Sequence, residues 1–257
     1  MPQHAPRSFR HEYELFVETE IENYKESIPR SALLKIGDEA VTAIRSMEQF
    51  AMDELLLCEE VDRIIRQRLR VPAYASWRRK RVKALEEYRR PEHWGLRPDC
   101  ILAREVHPPA ESCVLVAGGG VESAALYLAA HGCDVTALDT EAAALDRVMA
   151  AAQAAGLTDR IDGHATGLDQ WQPESLLSAV VCSPSAFAGL SAEERARAID
   201  LLKTATRDGG VHLVGTIVSG KRGISLTELK KQYRGWTISV EDDSTTSKSF
   251  LAKKVTI

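Results

Sequence analysis

SCVLVAGGGVESAALYLAAHGCDVTALDT, residues 112–140, reads as strand, glycine turn, helix and strand. Cys113 to Ala117 is a short apolar run rich in valine, and Gly118-Gly119-Gly120 breaks it. Ala124, Ala125, Leu126, Leu128 and Ala129 recur at helical spacing before Gly132, and Val135 to Leu138 is a second apolar run that ends in Asp139. A glycine turn lets a backbone and a helix N-terminus approach an anionic or polar ligand. A carboxylate about 20 residues later accepts hydrogen bonds from ribose hydroxyls. The stretch therefore predicts a site for a nucleoside-containing cofactor.

Two cofactor classes compete for it. A dinucleotide fingerprint, G-x-G-x-x-G/A, would begin at Gly118 and Gly120 but then meets Ser123 in place of the third small residue. The run ALYLAAHGCDVTALDTEAAALDRVMAAAQAAGL, Ala125 to Leu157, resembles the first helix, second strand and second helix of class I methyltransferases that use S-adenosylmethionine (SAM), most closely those of the tellurite-resistance type. The resemblance extends over Glu92 to Ile257. Leu177 to Cys182 matches the fourth strand, and Ser191 to Ile217 matches the following helix, glycine turn and fifth strand. LTELKKQYRGWTISVEDDSTTSKSFLAKK is similar to the final helix and closing antiparallel strand pair, and HWGLRPDCILAREVHPPAESCVLV to the lead-in that packs over the cofactor.

The resemblance implies an α/β, Rossmann-like class I methyltransferase fold, a seven-stranded sheet with an antiparallel final strand, over residues 96–257. It implies SAM as the cofactor. Ala117, Gly118, Gly119 and Gly120 would approach its methionine and ribose, Asp139 and Thr140 would hold the ribose, Ala165 and Thr166 would frame the adenine after a third strand at Ile161–Ala165, and Ser183 would follow the fourth strand. Asp169 is a second carboxylate near the adenine or a turn cap. Trp94 and Arg97 lie where related enzymes fold a segment over the cofactor, although a core role for Trp94 is equally consistent. The chain also departs from the family. The acidic residue that usually precedes the glycines is Val116, or Ala117 if the strand ends one residue later, and the third glycine is Glu122. Either Glu122 takes over the ammonium of the cofactor, or cofactor affinity is weakened, or the fold has lost methyl transfer. Cys182-Ser183-Pro184-Ser185-Ala186-Phe187 is a faint version of the motif with which amino-group methyltransferases orient their target, and reads better as a plain strand-to-loop transition. No general base stands out; His164 reads as structural and His107 as a loop residue.

Composition bounds the rest. The 257 residues are 44% hydrophobic and 27% charged, which supports one or two packed domains, and the formal net charge of −4 gives no whole-protein case for nucleic acid. No apolar run suggests a membrane span and Met1 to Arg10 lacks the apolar core of a signal peptide, so a cytoplasmic protein is expected. The five cysteines, Cys58, Cys100, Cys113, Cys133 and Cys182, are scattered and never in C-x-x-C spacing, which predicts reduced thiols and no metal site.

Residues 1–95 differ in kind. Tyr13, Phe16 and Val17, then Ala40, Val41, Ile44, Met47 and Phe50, then Leu55 to Leu57, Val61, Ile64, Ile65 and Leu69 keep helical periodicity. They predict an all-α N-terminal domain of about four helices, with Ser31 and Asp38 as N-caps and breaks at Pro29 and Pro72. Acids dominate from His11 to Asp62 and the sign reverses from Arg63 to Arg90. Clustered Arg and Lys suit a nucleic acid, but the complementary segments favour pairing with each other, within the chain or across a homodimer. The leading expectation is a SAM-dependent methyltransferase with a small-molecule acceptor. The alternative is a catalytically inactive SAM- or nucleotide-binding module acting through a partner of its helical domain, and an NAD-dependent enzyme comes third because it leaves the closing hairpin unexplained.

Overall fold

A computed structural model describes residues 8–46, 54–217, 223–242 and 247–255. The chain divides into two compact units, Met1–Ala84 and Leu85–Ile257.

The first unit is helical. α1 (Phe9–Ser27) starts at Ser8, whose hydroxyl accepts from His11 N, and buries Tyr13, Val17 and Ile21 at intervals of four. α2 (Arg30–Ser46) buries Ile36, Ala40 and Ile44, and α3 (Glu54–Arg68) buries Ile64 and Ile65. α4 (Tyr74–Tyr88) follows the break at Pro72. Neither Ser31 nor Asp38 is an N-cap. Both lie inside α2, because the carbonyl of Pro29 already accepts from Ala32 N and Leu33 N and sets the first turn one residue ahead of Ser31. Met47 and Phe50 lie outside the described residues. Tyr13 is the hub of an aromatic group with Phe16, Tyr74 and Trp77. Its hydroxyl donates to Pro72 O at 2.9 Å and accepts from Arg66 Nη2 at 2.8 Å. The opposed charges meet across helices: Glu12 with Arg81 at 3.0 Å, Lys25 with Asp62 at 2.8 Å and Glu39 with Arg68 at 2.5 Å.

The second unit contains one seven-stranded sheet. β1 is Cys113–Ala117, β2 Asp134–Leu138, β3 Ile161–His164, β4 Leu177–Cys182, β5 Thr206–Ile217, β6 Thr237–Asp242 and β7 Ser247–Lys253. Their order is β3-β2-β1-β4-β5-β7-β6; β1 to β5 run parallel and β7 is antiparallel to both its neighbours. β1 and β4 end where the apolar runs end. β3 stops at His164, so Ala165 belongs to the loop that follows it. Because side chains alternate along a strand, β1 sends Val114 and Val116 into one core and Leu115 and Ala117 into the other. α5 (Ile101–Glu105), α6 (Val121–Ala130) and α7 (Ala142–Ala155) contribute to the first core, α8 (Ala192–Ala205) and α9 (Leu226–Gln232) to the second. Ser191 opens α8 with a reciprocal capping box to Glu194.

The segment from Leu85 to Trp94 groups with the sheet unit for a visible reason. The 3-10 turn Pro91–Trp94 packs on α6, and Arg89 Nε donates to Ala130 O. Trp94 rests against the first core while its indole N–H donates to Tyr88 O at 2.6 Å. Trp94 is therefore a core anchor.

Candidate functional site

β1 pairs with β2 on one side and β4 on the other, and crossovers leave in opposite directions from that point. Such a reversal opens a crevice beyond the carboxyl ends of the strands. A cavity of about 440 Å³ lies there. One half follows β2 and β3 and is lined by Leu138, Asp139, Thr140, Glu141, Ala144, Arg147 and the loop Thr166–Asp169. The other follows β1 and β4 and is lined by Ala117, the three glycines, Ser185, Ala186, Ala188 and Leu190.

Asp139 is held by its own chain. It is 6% exposed, and its Oδ1 accepts from Glu141 N at 2.9 Å in the turn that starts α7. Its Oδ2 has no hydrogen-bond partner among the described residues. α7 then presents Ala144 and Arg147 to the same cavity, at the three-residue spacing that keeps side chains on one face.

The glycine turn is pinned from the end of β2 and from the loop after β4. Gly118 N donates to Leu138 O at 2.8 Å, and Ser183 N to Ala117 O at 2.9 Å. Gly118 has φ +91°, and a Cβ there would stand 2.5 Å from Ala186 N. Glycine is thus required by both backbone conformation and the close approach of the loop after β4. Gly119 N donates to Ser185 Oγ at 2.6 Å, and that oxygen lies 2.8 Å from Ser183 Oγ. A neutral hydroxyl therefore occupies one amide near the start of α6. Behind it the Cys182 thiol is pushed up to about 12 by complete burial, which leaves it protonated and unreactive at neutral pH.

Of the residues marked from sequence, Ala117, Gly118, Gly119, Gly120, Asp139, Thr140 and Thr166 line the cavity together, and Asp169 joins them. Ala165, Ser183 and Glu122 are not among the lining residues. Ala165 precedes the lining loop, Ser183 sits behind Ser185, and Glu122 lies in the first turn of α6. Val116 is buried to 1% exposure in the first core, so Ala117 is the β1 residue that faces the site. None of the lead-in residues lines the cavity; Arg97 is exposed beside Asp99. His164, exposed on β3, pairs with Asp162. Sequence reading missed Glu141, Ala144 and Arg147, which helical spacing after Asp139 could have supplied. Ser185 and Ala186, read from sequence as part of a plain strand-to-loop transition, line the cavity, as do Ala188 and Leu190, which sequence reading missed. Among the described residues no group of three His, Cys, Asp or Glu could hold a metal ion.

The strand order and the closing antiparallel strands are those of the Rossmann-like class I methyltransferase fold. Solved structures that resemble the chain include the [4+2]-cyclase SpnF, with 17% identity, a TM-score of 0.51 and coverage of 60% of this chain and 78% of that one. TehB from Haemophilus influenzae resembles it with 20% identity and a TM-score of 0.48, and the match covers 59% of each chain. Magnesium protoporphyrin IX methyltransferase (ChlM) from Synechocystis PCC 6803, solved with bound SAH, has 17% identity, a TM-score of 0.49 and coverage of 60% and 78%. No family model matches the sequence, and no curated protein matches it.

Proposed function

We propose that this chain is a SAM-dependent methyltransferase acting on a small-molecule acceptor. The observation that carries the reading is Asp139: a buried carboxylate at the end of β2, oriented by Glu141 N, with one oxygen left for the cavity. That arrangement fits a ribose diol, which donates two hydroxyl hydrogens to one carboxylate. The ribose on Asp139 directs the base toward Thr166–Asp169 and the 5′ substituent toward Gly118–Gly120. The volume of about 440 Å³ suits a nucleoside-sized ligand. When bound, SAM supplies a sulfonium methyl group that is already electrophilic, so the chain's own task is to position an acceptor in line with it. Ala186, Ala188 and Leu190 give that approach an apolar wall.

The test is calorimetric titration with SAM, with S-adenosylhomocysteine and NAD as comparators. SAM is expected to bind in the micromolar range and NAD more weakly, and Asp139→Asn is expected to lose most of the SAM affinity. Normal SAM binding by the variant would remove the assignment.

A second reading rests on the Ser185 hydroxyl that occupies Gly119 N. It favours a nucleoside-binding module without turnover, which would bind the same ligands yet form no S-adenosylhomocysteine with any acceptor offered. We infer a cytoplasmic location from the five cysteines, none of which is paired in a disulfide. Among the described residues no helix is long and apolar enough to cross a membrane. The helical unit, taken here as a separate domain, would serve acceptor binding or dimerisation.

A further inference from the structure

The candidate cavity is charged in one half only. Asp139, Glu141, Asp169 and Arg147 belong to the β2–β3 half. The β1–β4 half, from Ala117 through the glycine turn to Ser185 and Leu190, presents no carboxylate among the described residues. What it offers is neutral: a serine hydroxyl already engaged with Gly119 N, backbone groups and small apolar side chains. An ammonium group brought there exchanges water for partners without a compensating charge, which gives no net attraction. Resting on the reading of this cavity as a SAM-type pocket, we infer that it recognises the 5′-thioadenosine portion of its ligand and draws no affinity from the α-ammonium group. Neutral 5′-thioadenosines are then ligands in their own right, bound about as well as the charged cofactor. The fold supplies a nucleoside pocket, and this chain has left its amino-acid end electrically blank.

Titration of the full chain with SAM and with 5′-methylthioadenosine in one buffer tests this. The two dissociation constants are expected to agree within about threefold. Ser185→Asp sharpens the comparison. The residue is exposed, the new carboxylate still accepts from Gly119 N, and it places a negative charge in the blank half. The variant is expected to prefer SAM over 5′-methylthioadenosine by about tenfold, or about 1.4 kcal/mol. SAM binding more than about tenfold tighter in the unaltered chain overturns the inference while leaving the pocket assignment standing. An unchanged ratio in Ser185→Asp overturns it as well. Binding of neither compound removes the pocket assignment, and the inference falls with it.

Discussion

Two buried polar groups in the sheet unit make opposite use of their hydrogen-bonding capacity. His212 is fully buried; Thr206 Oγ1 lies 2.6 Å from its Nε2 and donates to Leu202 O, and Tyr233 Oη lies 2.7 Å from its Nδ1. Since the threonine hydrogen is spent on Leu202, the network assigns the ring proton to Nε2 and leaves Nδ1 to accept from Tyr233. Every position is used. Asp139, almost as buried, has one oxygen engaged and the other turned over to a cavity. Burial therefore does not separate structure from site. Completeness of pairing does: a closed network stabilises a core, and an open one invites a ligand.

The largest expected effect breaks the closed side. Tyr233 is 1% exposed and packs on Phe250 and Trp236. Tyr233→Ala should cost about 3–5 kcal/mol of stability, read by urea denaturation, from the cavity and the stranded His212 nitrogen. Nucleoside binding by the folded fraction should be unaltered. A loss below about 1 kcal/mol would mean that the network is not closed.

Asp139→Asn tests the open side. Its amide oxygen can still accept from Glu141 N, so stability should fall by less than about 1 kcal/mol. Cofactor affinity should fall by about tenfold to a hundredfold, the scale of a hydrogen bond to a charged group. Comparable losses of stability and binding would place Asp139 with His212 as a structural residue.

Acid titration should reveal the closed network without mutation. Burial, with Lys203 and Lys254 nearby, lowers the pKa of His212 to about 3 from the ordinary 6.5. Between these values the unfolded chain takes up a proton that the folded chain refuses. Stability from this group is complete above about pH 6.5 and is lost progressively as pH falls toward 3. The slope approaches about 1.4 kcal/mol per pH unit within that window. Denaturation midpoints measured at several pH values in His212→Gln should show that slope removed, at the cost of lower stability at pH 7.

The contrast also explains what the sequence could disclose. The apolar run located β1 to the residue, the family resemblance did the same for β4, and the carboxylate after Leu138 does line the cavity, because strand burial and chain order are local properties. Glu122 looked available for an ammonium since it stands two residues past the glycines, yet the first turn of α6 does not bring it to the cavity. Ser185 was invisible as a ligand for Gly119 because the contact joins positions 66 apart. Ser31 and Asp38 failed as caps because Pro29 had already set the helix start. His212 and Tyr233, 21 residues apart, carry no local sign of being partners.

The smallest expected effect lies in the helical unit, where charge was the most legible feature of the sequence. The basic stretch could serve a polyanion, but Arg81 is 16% exposed at its side chain and meets Glu12, 30% exposed, at 3.0 Å between α1 and α4. Solvent-exposed pairs contribute about 0.2–1 kcal/mol, and this partly buried one stands at the upper end of that range. Arg81→Gln should therefore lower stability by no more than about 1 kcal/mol, and the difference should shrink in about 1 M salt, where the screening length falls to roughly 3 Å. The pairing reading further predicts no binding of a short single-stranded RNA in fluorescence anisotropy near physiological salt. Binding whose dependence on log salt weakens by about one unit in Arg81→Gln would instead make this arginine a phosphate contact, and the acidic first helix a competitor for the same charge.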